Sequence, residues 1–297
     1  MLPGPSRSSS RLEDTGVIMR RIVSGLAVLA LSFAGIVGTA TPAQAVAPQT
    51  ITVNRYAALG DSFAAGYGLP SKSDPASQLC ARSNLAYPEL LNGFPKLKKL
   101  DFVACSGATT KDVWDKQLSA LSASTRTVTL TVGGNDAGFS QLGCLQTGCD
   151  LNALAAAVAA ALAALSGKVP SDTVVSLPAI LAEIHARAPQ ASIFITGYPE
   201  LFGSSAKLYG TTLACPVAVA DRSVVNQLAD QLNAVIKASA AGARAAGVNV
   251  TYVSVAGAFD GHGLCDSRLP FITSVLHPTA LGQATYATVL ILKGVVR

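Results

Sequence analysis

No Cys-x-x-Cys pair occurs in the 297 residues, and of the three histidines only His262 stands near a cysteine in the sequence, Cys265. A structural zinc site is therefore not expected, and no cofactor is implied. Basic residues gather nowhere more densely than Lys96-Leu97-Lys98-Lys99, which reads as a solvated face and not as a nucleic-acid footprint. Tryptophan occurs once; Trp114 is expected to pack a helix, and its isolation weighs against a groove that stacks sugar rings. No internal repeat or interdomain linker is visible, and the alanine-rich stretch 153–164 reads as a helix.

What is present begins with a leader pattern. Arg20 and Arg21 precede an apolar run from Ile22 to about Gly38, and small residues follow, ending in Ala43-Gln44-Ala45. A basic segment, an apolar segment and an A-x-A site describe a secretory signal peptide cleaved after Ala45. Ser24, Gly25, Ser32 and Gly35 interrupt the run and no stop-transfer charges follow it, against a membrane anchor. Met19, followed by two arginines, is a candidate start, with 1–18 unstructured. Residues 46–297 then form a single domain with room for a substantial core. They carry 18 basic and 15 acidic residues, a net charge of +3 against +5 for the whole sequence, which demands no anionic partner. Nothing requires more than a monomer. Six cysteines, at 80, 105, 144, 149, 215 and 265, are expected to form disulfides in a secreted chain; six allow 15 connectivities.

β-rich runs alternate with helical stretches. Strands are expected at 55–59, 100–104, 127–132, 192–196 and 248–255, each followed by Gly, Ser or Pro. Helices are expected at 151–167, at 172–188 after a Ser-Asp cap, and at 221–246, where Val224, Val225, Leu228, Leu232, Val235 and Ile236 repeat with the helical period. A last helix begins just after Pro278, with the proline in its first turn, and runs towards Lys293. Alternation of this kind implies a parallel sheet covered by helices on both faces, with ligands at the carboxyl ends of the strands.

The polar and glycine residues fall on that edge: Gly60-Asp61-Ser62 after the first strand, 105–110 after the second, Gly133-Gly134-Asn135-Asp136 after the third, and His277 past the fifth. Nucleophilic catalysis by a serine needs a base within hydrogen-bond reach and donors aimed at the developing oxyanion. Ser62 alone proves little. A histidine and an amide on the same edge make it a candidate nucleophile. No Gly-x-Ser-x-Gly elbow is present, against the usual α/β-hydrolase arrangement.

Gly60-Asp61-Ser62-Phe63, Gly107, Gly134-Asn135-Asp136 and His277-Pro278 resemble, in order, the four blocks of the SGNH or GDSL-type hydrolases. The likeness spans residues 46–297 and is strongest to a secreted actinobacterial branch of lipases, esterases and phospholipases, six cysteines included. It implies a flavodoxin-like three-layer α/β/α sandwich with a central parallel sheet of about five strands. It further implies hydrolysis of carboxylic esters, lipids or short- to long-chain fatty esters, with phospholipase A1 activity as the nearest variant, and a transient contact with a lipid interface. Carried over by residue, Ser62 is the nucleophile and His277 the base; the N–H groups of Ser62 and Gly107 and the amide of Asn135 form the oxyanion hole. The branch implies the disulfides Cys80–Cys105, Cys144–Cys149 and Cys215–Cys265, the first of them contributing about 3 kcal/mol by the loop-entropy argument.

One departure stands out. The family commonly has an aspartate three residues before the histidine, and here Ser274 stands there. A backbone carbonyl of Ser274, Val275 or Leu276 is expected to orient His277; the rivals are the Ser274 hydroxyl, Asp260 and Asp266. His185 reads as a surface or packing residue, and His262 as structural or pocket-lining. Asp61 and Asp136 are expected to organise their own loops. Phe63, Tyr67, Tyr198, Leu201 and Phe202 are candidates for an apolar acyl site or for the core. The alternative functions are an acetyl-polysaccharide deacetylase and an inactive lipid- or carbohydrate-binding member.

Overall fold

Five β-rich runs become strands: β1 (Arg55–Gly60), β2 (Lys99–Phe102), β3 (Thr125–Thr131), β4 (Ser192–Thr196) and β5 (Val250–Val253). The computed structural model describes residues 54–146 and 148–297; the expected leader and the start at Met19 lie outside them. All the strand pairs are parallel, and the order across the sheet is β2-β1-β3-β4-β5. That is the flavodoxin-like order, whose switch point lies between β1 and β3. Strand β4 has the expected ends, and elsewhere strand ends differ from expectation by at most two residues, the usual fraying of boundaries.

The helices used below are α1 (Ser62–Ala65), α2 (Tyr87–Asn92), α3 (Leu151–Leu165), α4 (Leu177–Arg187), α5 (Val219–Ala245) and α6 (Ala280–Leu292). Helix α4 starts five residues later than its sequence suggests. The Ser171 hydroxyl accepts from the N–H groups of Thr173 and Val174, which holds that segment in a turn. Ser176 is the real cap, accepting from Ala179 N–H. Helix α6 likewise begins behind its cap, Thr279, whose hydroxyl accepts from Gly282 N–H, so Pro278 precedes the cap instead of occupying the first turn.

Both sheet faces are covered, as a parallel sheet requires. Side chains alternate along a strand, and on one face Tyr56, Thr129, Thr131 and Thr196 make a buried polar ladder. Tyr56 Oη lies 2.8 Å from Thr129 Oγ1, and Thr131 Oγ1 lies 2.6 Å from Thr196 Oγ1. Helices α2 and α6, packed on each other, close this face: Tyr87 Oη from α2 meets Thr131 Oγ1 at 2.9 Å, and Tyr286 Oη from α6 donates to Gly197 O. On the opposite face Leu59, Leu130 and Ile195 stand in register, fully buried. There α3 and α4 pack on α5, which buries Val225, Leu228, Leu232 and Ile236 at helical spacing. Trp114 packs less than expected: it is 37 % exposed.

The cysteines pair as Cys80–Cys105, Cys144–Cys149 and Cys215–Cys265, the set the resemblance implies, and none is free among the described residues. Each bridge fastens loops at the carboxyl edge of the sheet, where a binding surface has to be assembled from segments without ladder hydrogen bonds of their own.

Candidate active site

Strand β1 ends against β3 so closely that a Cβ on Gly60 would lie 2.1 Å from Thr131 O, and the residue adopts φ +132°. Only glycine fits this approach. The buried Gln117 amide takes the place of a neighbouring strand, accepting from Gly60 N–H at 2.7 Å and donating to Gly60 O at 2.9 Å. Asp61 continues the ladder by donating its N–H to Thr131 O, and its Oδ1 accepts from Phe63 N–H as the cap of α1. The turn thus delivers Ser62, the first residue of α1, to the end of the sheet.

His277 meets it from the segment before α6. His277 Nε2 lies 2.7 Å from Ser62 Oγ. Ile272 and Pro278 form an antiparallel bridge, and the chain between them turns tightly: Thr273 N–H donates to His277 O and Leu276 N–H to Thr273 O. Leu276 takes φ +58°, a left-handed conformation that costs a leucine about 1 kcal/mol. This turn folds the imidazole back over its own backbone, and Nδ1 lies 2.7 Å from Val275 O. A carbonyl can only accept, so Nδ1 carries the proton and Nε2 is left with its lone pair towards Ser62. Of the groups expected to hold the ring, it is the Val275 carbonyl that lies at hydrogen-bond distance. Asp266 instead accepts from Gly263 and Ser267 N–H, and it lines a separate cavity together with Asp260. The rings of Phe63 and Tyr67 stand 5.1 and 4.8 Å from the imidazole. This desolvation lowers the His277 pKa below its ordinary value, and the Val275 hydrogen bond only partly opposes it.

Ser62, Gly107 and Asn135 line one cleft. The Ser62 and Gly107 N–H groups have no acceptor among the described residues. Gly107, at φ +81°, would direct a Cβ into open space. Asn135 Nδ2 donates one hydrogen to Ala108 O at 2.9 Å, which leaves its other hydrogen available. Asp136 departs from expectation: it serves the neighbouring loop, accepting at its carboxylate from the Thr110 N–H and hydroxyl.

Tyr198, at the end of β4, has a role that its position in the sequence does not advertise. Its hydroxyl accepts from Gly134 N–H at 3.0 Å and donates to Asp61 Oδ2 at 2.5 Å. The loop that carries Asn135 is thereby fastened to the turn that carries Ser62. Burial pushes the Asp61 carboxyl up to about 7 against the opposing hydrogen bonds from Tyr198 and Phe63.

The cleft measures about 500 Å³. Phe63, Tyr67, Tyr198, Leu201 and Phe202 all line it, and all but Tyr67 belong to the core as well. The structure adds Phe139, Leu142 and Leu145 from the segment after β3, with Leu208 and Val217 from the loop after β4. Their sequence signal is the pair of disulfides, since Cys144–Cys149 and Cys215–Cys265 fasten these two walls. His262 and His185 stand outside. The first stacks on Phe271 at 3.9 Å with Nδ1 2.7 Å from Leu269 O, and the second is half-buried on α4. Among the described residues, no group of His, Cys, Asp or Glu is arranged to hold a metal ion.

Comparison with known proteins finds relatives over most of the chain. The model of the GDSL-like lipase/acylhydrolase family matches residues 58–285. The chain is 36 % identical over 252 residues to a lipase of Streptomyces rimosus, covering 81 % of this chain and 86 % of that one. It is similar to the crystal structure of phospholipase A1 from Streptomyces albidoflavus, with a TM-score of 0.66 and 34 % identity, over 82 % of this chain and all of that one. The crystal structure of an extracellular lipase from Streptomyces rimosus matches with TM-score 0.66 and 33 % identity, over 81 % of this chain and 99 % of that one.

Proposed function

The chain belongs to the GDSL-like lipase/acylhydrolase family and is a carboxylic ester hydrolase, and from that premise we propose that it is a secreted serine hydrolase of fatty acyl esters working through an acyl-enzyme on Ser62. The observation that carries this reading is the 2.7 Å approach of His277 Nε2 to Ser62 Oγ at the floor of an apolar cleft. His277 takes the Ser62 hydroxyl proton as Oγ attacks the ester carbon. The oxyanion is held by the N–H groups of Ser62 and Gly107 and by the Asn135 amide. Collapse of the tetrahedral intermediate expels the alcohol, which takes the proton from His277 Nε2. Water then attacks the acyl-enzyme by the same route and frees Ser62. The Val275 carbonyl keeps the productive tautomer throughout. Being neutral, it stabilises the imidazolium less than a buried carboxylate does.

The aromatic and aliphatic wall from the segments after β3 and β4 suits a fatty acyl chain, and each methylene it buries contributes about 0.8 kcal/mol. Tyr67 and Val275, 39 % and 51 % exposed, flank His277 where a lipid interface would meet the cleft. The disulfides suit an oxidising compartment, and one of the Streptomyces relatives is described as extracellular. Hydrolysis of p-nitrophenyl esters from acetate to palmitate tests the reading. An octanoate or longer ester is expected to exceed acetate in kcat/KM by about tenfold or more. Turnover of acetate alone would assign a deacetylase, and no turnover a binding protein.

The pH dependence is a second check. Loss of kcat/KM on acidification reports protonation of the base, and the desolvated His277 titrates below its ordinary value. The acid limb is therefore expected to have its midpoint below pH 6.5. A midpoint near 7 would instead give control to the Asp61 carboxyl.

A further inference from the structure

Ser62 and His277 meet across 215 residues of sequence. Apart from that contact, the hydrogen bond that ties their two segments among the described residues comes from Gln283, on α6 shortly after His277. The Gln283 side chain is fully buried and reaches two other elements. Its Nε2 donates to Phe63 O of α1 at 2.9 Å, and its Oε1 accepts from Tyr87 N–H of α2 at 2.8 Å. A carbonyl only accepts and a backbone N–H only donates, so one orientation of the amide satisfies both. Both partners are helix-end groups left over by their own helices. Ala86, the cap of α2, offers no side-chain acceptor to that helix end. In the short α1 the N–H groups of Gly66 and Tyr67 both go to Ser62 O, which leaves Phe63 O to Gln283. A buried amide with both bonds made is a stiff spacer, because leaving either group unpaired is costly.

Both ends of the spacer are joined closely to the reacting groups. Phe63 is the residue next to Ser62, and its ring lies 5.1 Å from the imidazole. At the other end, the first turn of α6 presses on the turn that carries His277. A Cβ on Gly282 would lie 2.4 Å from Phe271 O and 3.0 Å from Pro278 Cβ, and Thr279 N–H donates to Phe271 O at 2.8 Å. Ring contacts hold Phe63 near His277 without fixing a distance, since apolar contact is non-directional. The amide does fix one. We infer that Gln283 is a positioning residue for the hydrolysis, setting the approach of His277 Nε2 to Ser62 Oγ by tying α6 to the carbonyl beside the nucleophile. This deepens the proposed function and rests on the assignment of Ser62 as nucleophile and His277 as base.

The test measures kcat and KM for p-nitrophenyl octanoate, with active sites counted by a serine-reactive p-nitrophenyl phosphonate so that unfolded protein does not enter. Gln283 does not line the cleft, so its loss should spare substrate binding. Gln283→Met keeps the bulk of the side chain and loses both hydrogen bonds. Its kcat is expected to fall by about 10- to 100-fold, the effect of a displacement of about 1 Å at the reacting atoms, with KM within about twofold. Gln283→Glu reads the tie through pH. Burial holds the introduced carboxyl above the ordinary glutamate range. Protonated, it donates to Phe63 O and accepts from Tyr87 N–H as the amide does; ionised, it repels Phe63 O. The ratio of its kcat to that of the parent is expected within about threefold of unity at about pH 5.5, and about tenfold lower by about pH 8.5. Asp61 and His277 titrate in both proteins and cancel from that ratio. Unchanged kcat per active site in Gln283→Met, a rise of KM with kcat held, or a Gln283→Glu ratio independent of pH would each overturn the inference. The ratio decides alone if Gln283→Met fails to fold. Undiminished turnover by Ser62→Ala would instead sink the catalytic reading beneath it.

Discussion

Ser62→Ala is expected to lower kcat/KM for a p-nitrophenyl ester by about 10⁵-fold and to leave the melting temperature within a few degrees of the parent. The size of the effect follows from the lack of a substitute. Ser106, Ser140 and Ser274 also line the cleft, yet none of their hydroxyls is hydrogen-bonded to a base, whereas Ser62 Oγ lies 2.7 Å from His277 Nε2. The small stability change follows from what Oγ touches: its hydrogen-bond partner is the His277 ring, and the turn is held by Gly60, Asp61 and Gln117 backbone and amide contacts. His277→Ala should fall to a similar level, and the double variant should fall no further, because nucleophile and base act as a unit. A Ser62→Ala protein retaining one per cent of parental turnover would disprove the assignment.

Asn135→Ala carries the second-largest effect, a loss of about 10²- to 10³-fold in kcat with KM nearly unchanged. An amide that donates to the oxyanion does so only as the carbonyl oxygen gains charge, so its removal should spare the ground state. Asn135→Asp is the sharper variant. It keeps the length of the side chain but presents oxygens to Ala108 O and to the oxyanion alike, and it should be no better than alanine. If KM rose while kcat held, Asn135 would be binding substrate and the oxyanion assignment would have to be abandoned.

Much of the architecture was legible because it depends on local pattern. Short β-rich runs followed by glycine or serine mark parallel strands, and the stripe in 221–246 marks the helix now seen at Val219–Ala245. The residues that gather at the sheet edge were legible for the same reason: a parallel sheet sends every strand's carboxyl end to one side. What stayed hidden were choices made between distant segments. Nothing local to Tyr198 announces a partner 137 residues earlier at Asp61. Asp136, which looked like a device for its own loop, is bound to Thr110 because the loops after β2 and β3 meet across β1. The walls at 139–146 and 208–217 have no periodicity, so their apolar residues could not be assigned to a face. A backbone acceptor such as Val275 O leaves no trace in residue type, and three carbonyls were equal candidates until the turn was seen.

That last point reaches beyond the reaction. A carboxylate that steers a histidine has a codon, and a single base change removes it. The carbonyl at 275 belongs to whichever amino acid is incorporated there, and the half-exposed Val275 side chain is free to change without disturbing it. What cannot change is the count of residues between the bridge partners Ile272 and Pro278. One inserted or deleted residue would turn a different carbonyl towards the ring, or none. A change of side chain at 275 thus leaves the acceptor in place, whereas a change in the length of the loop takes it away.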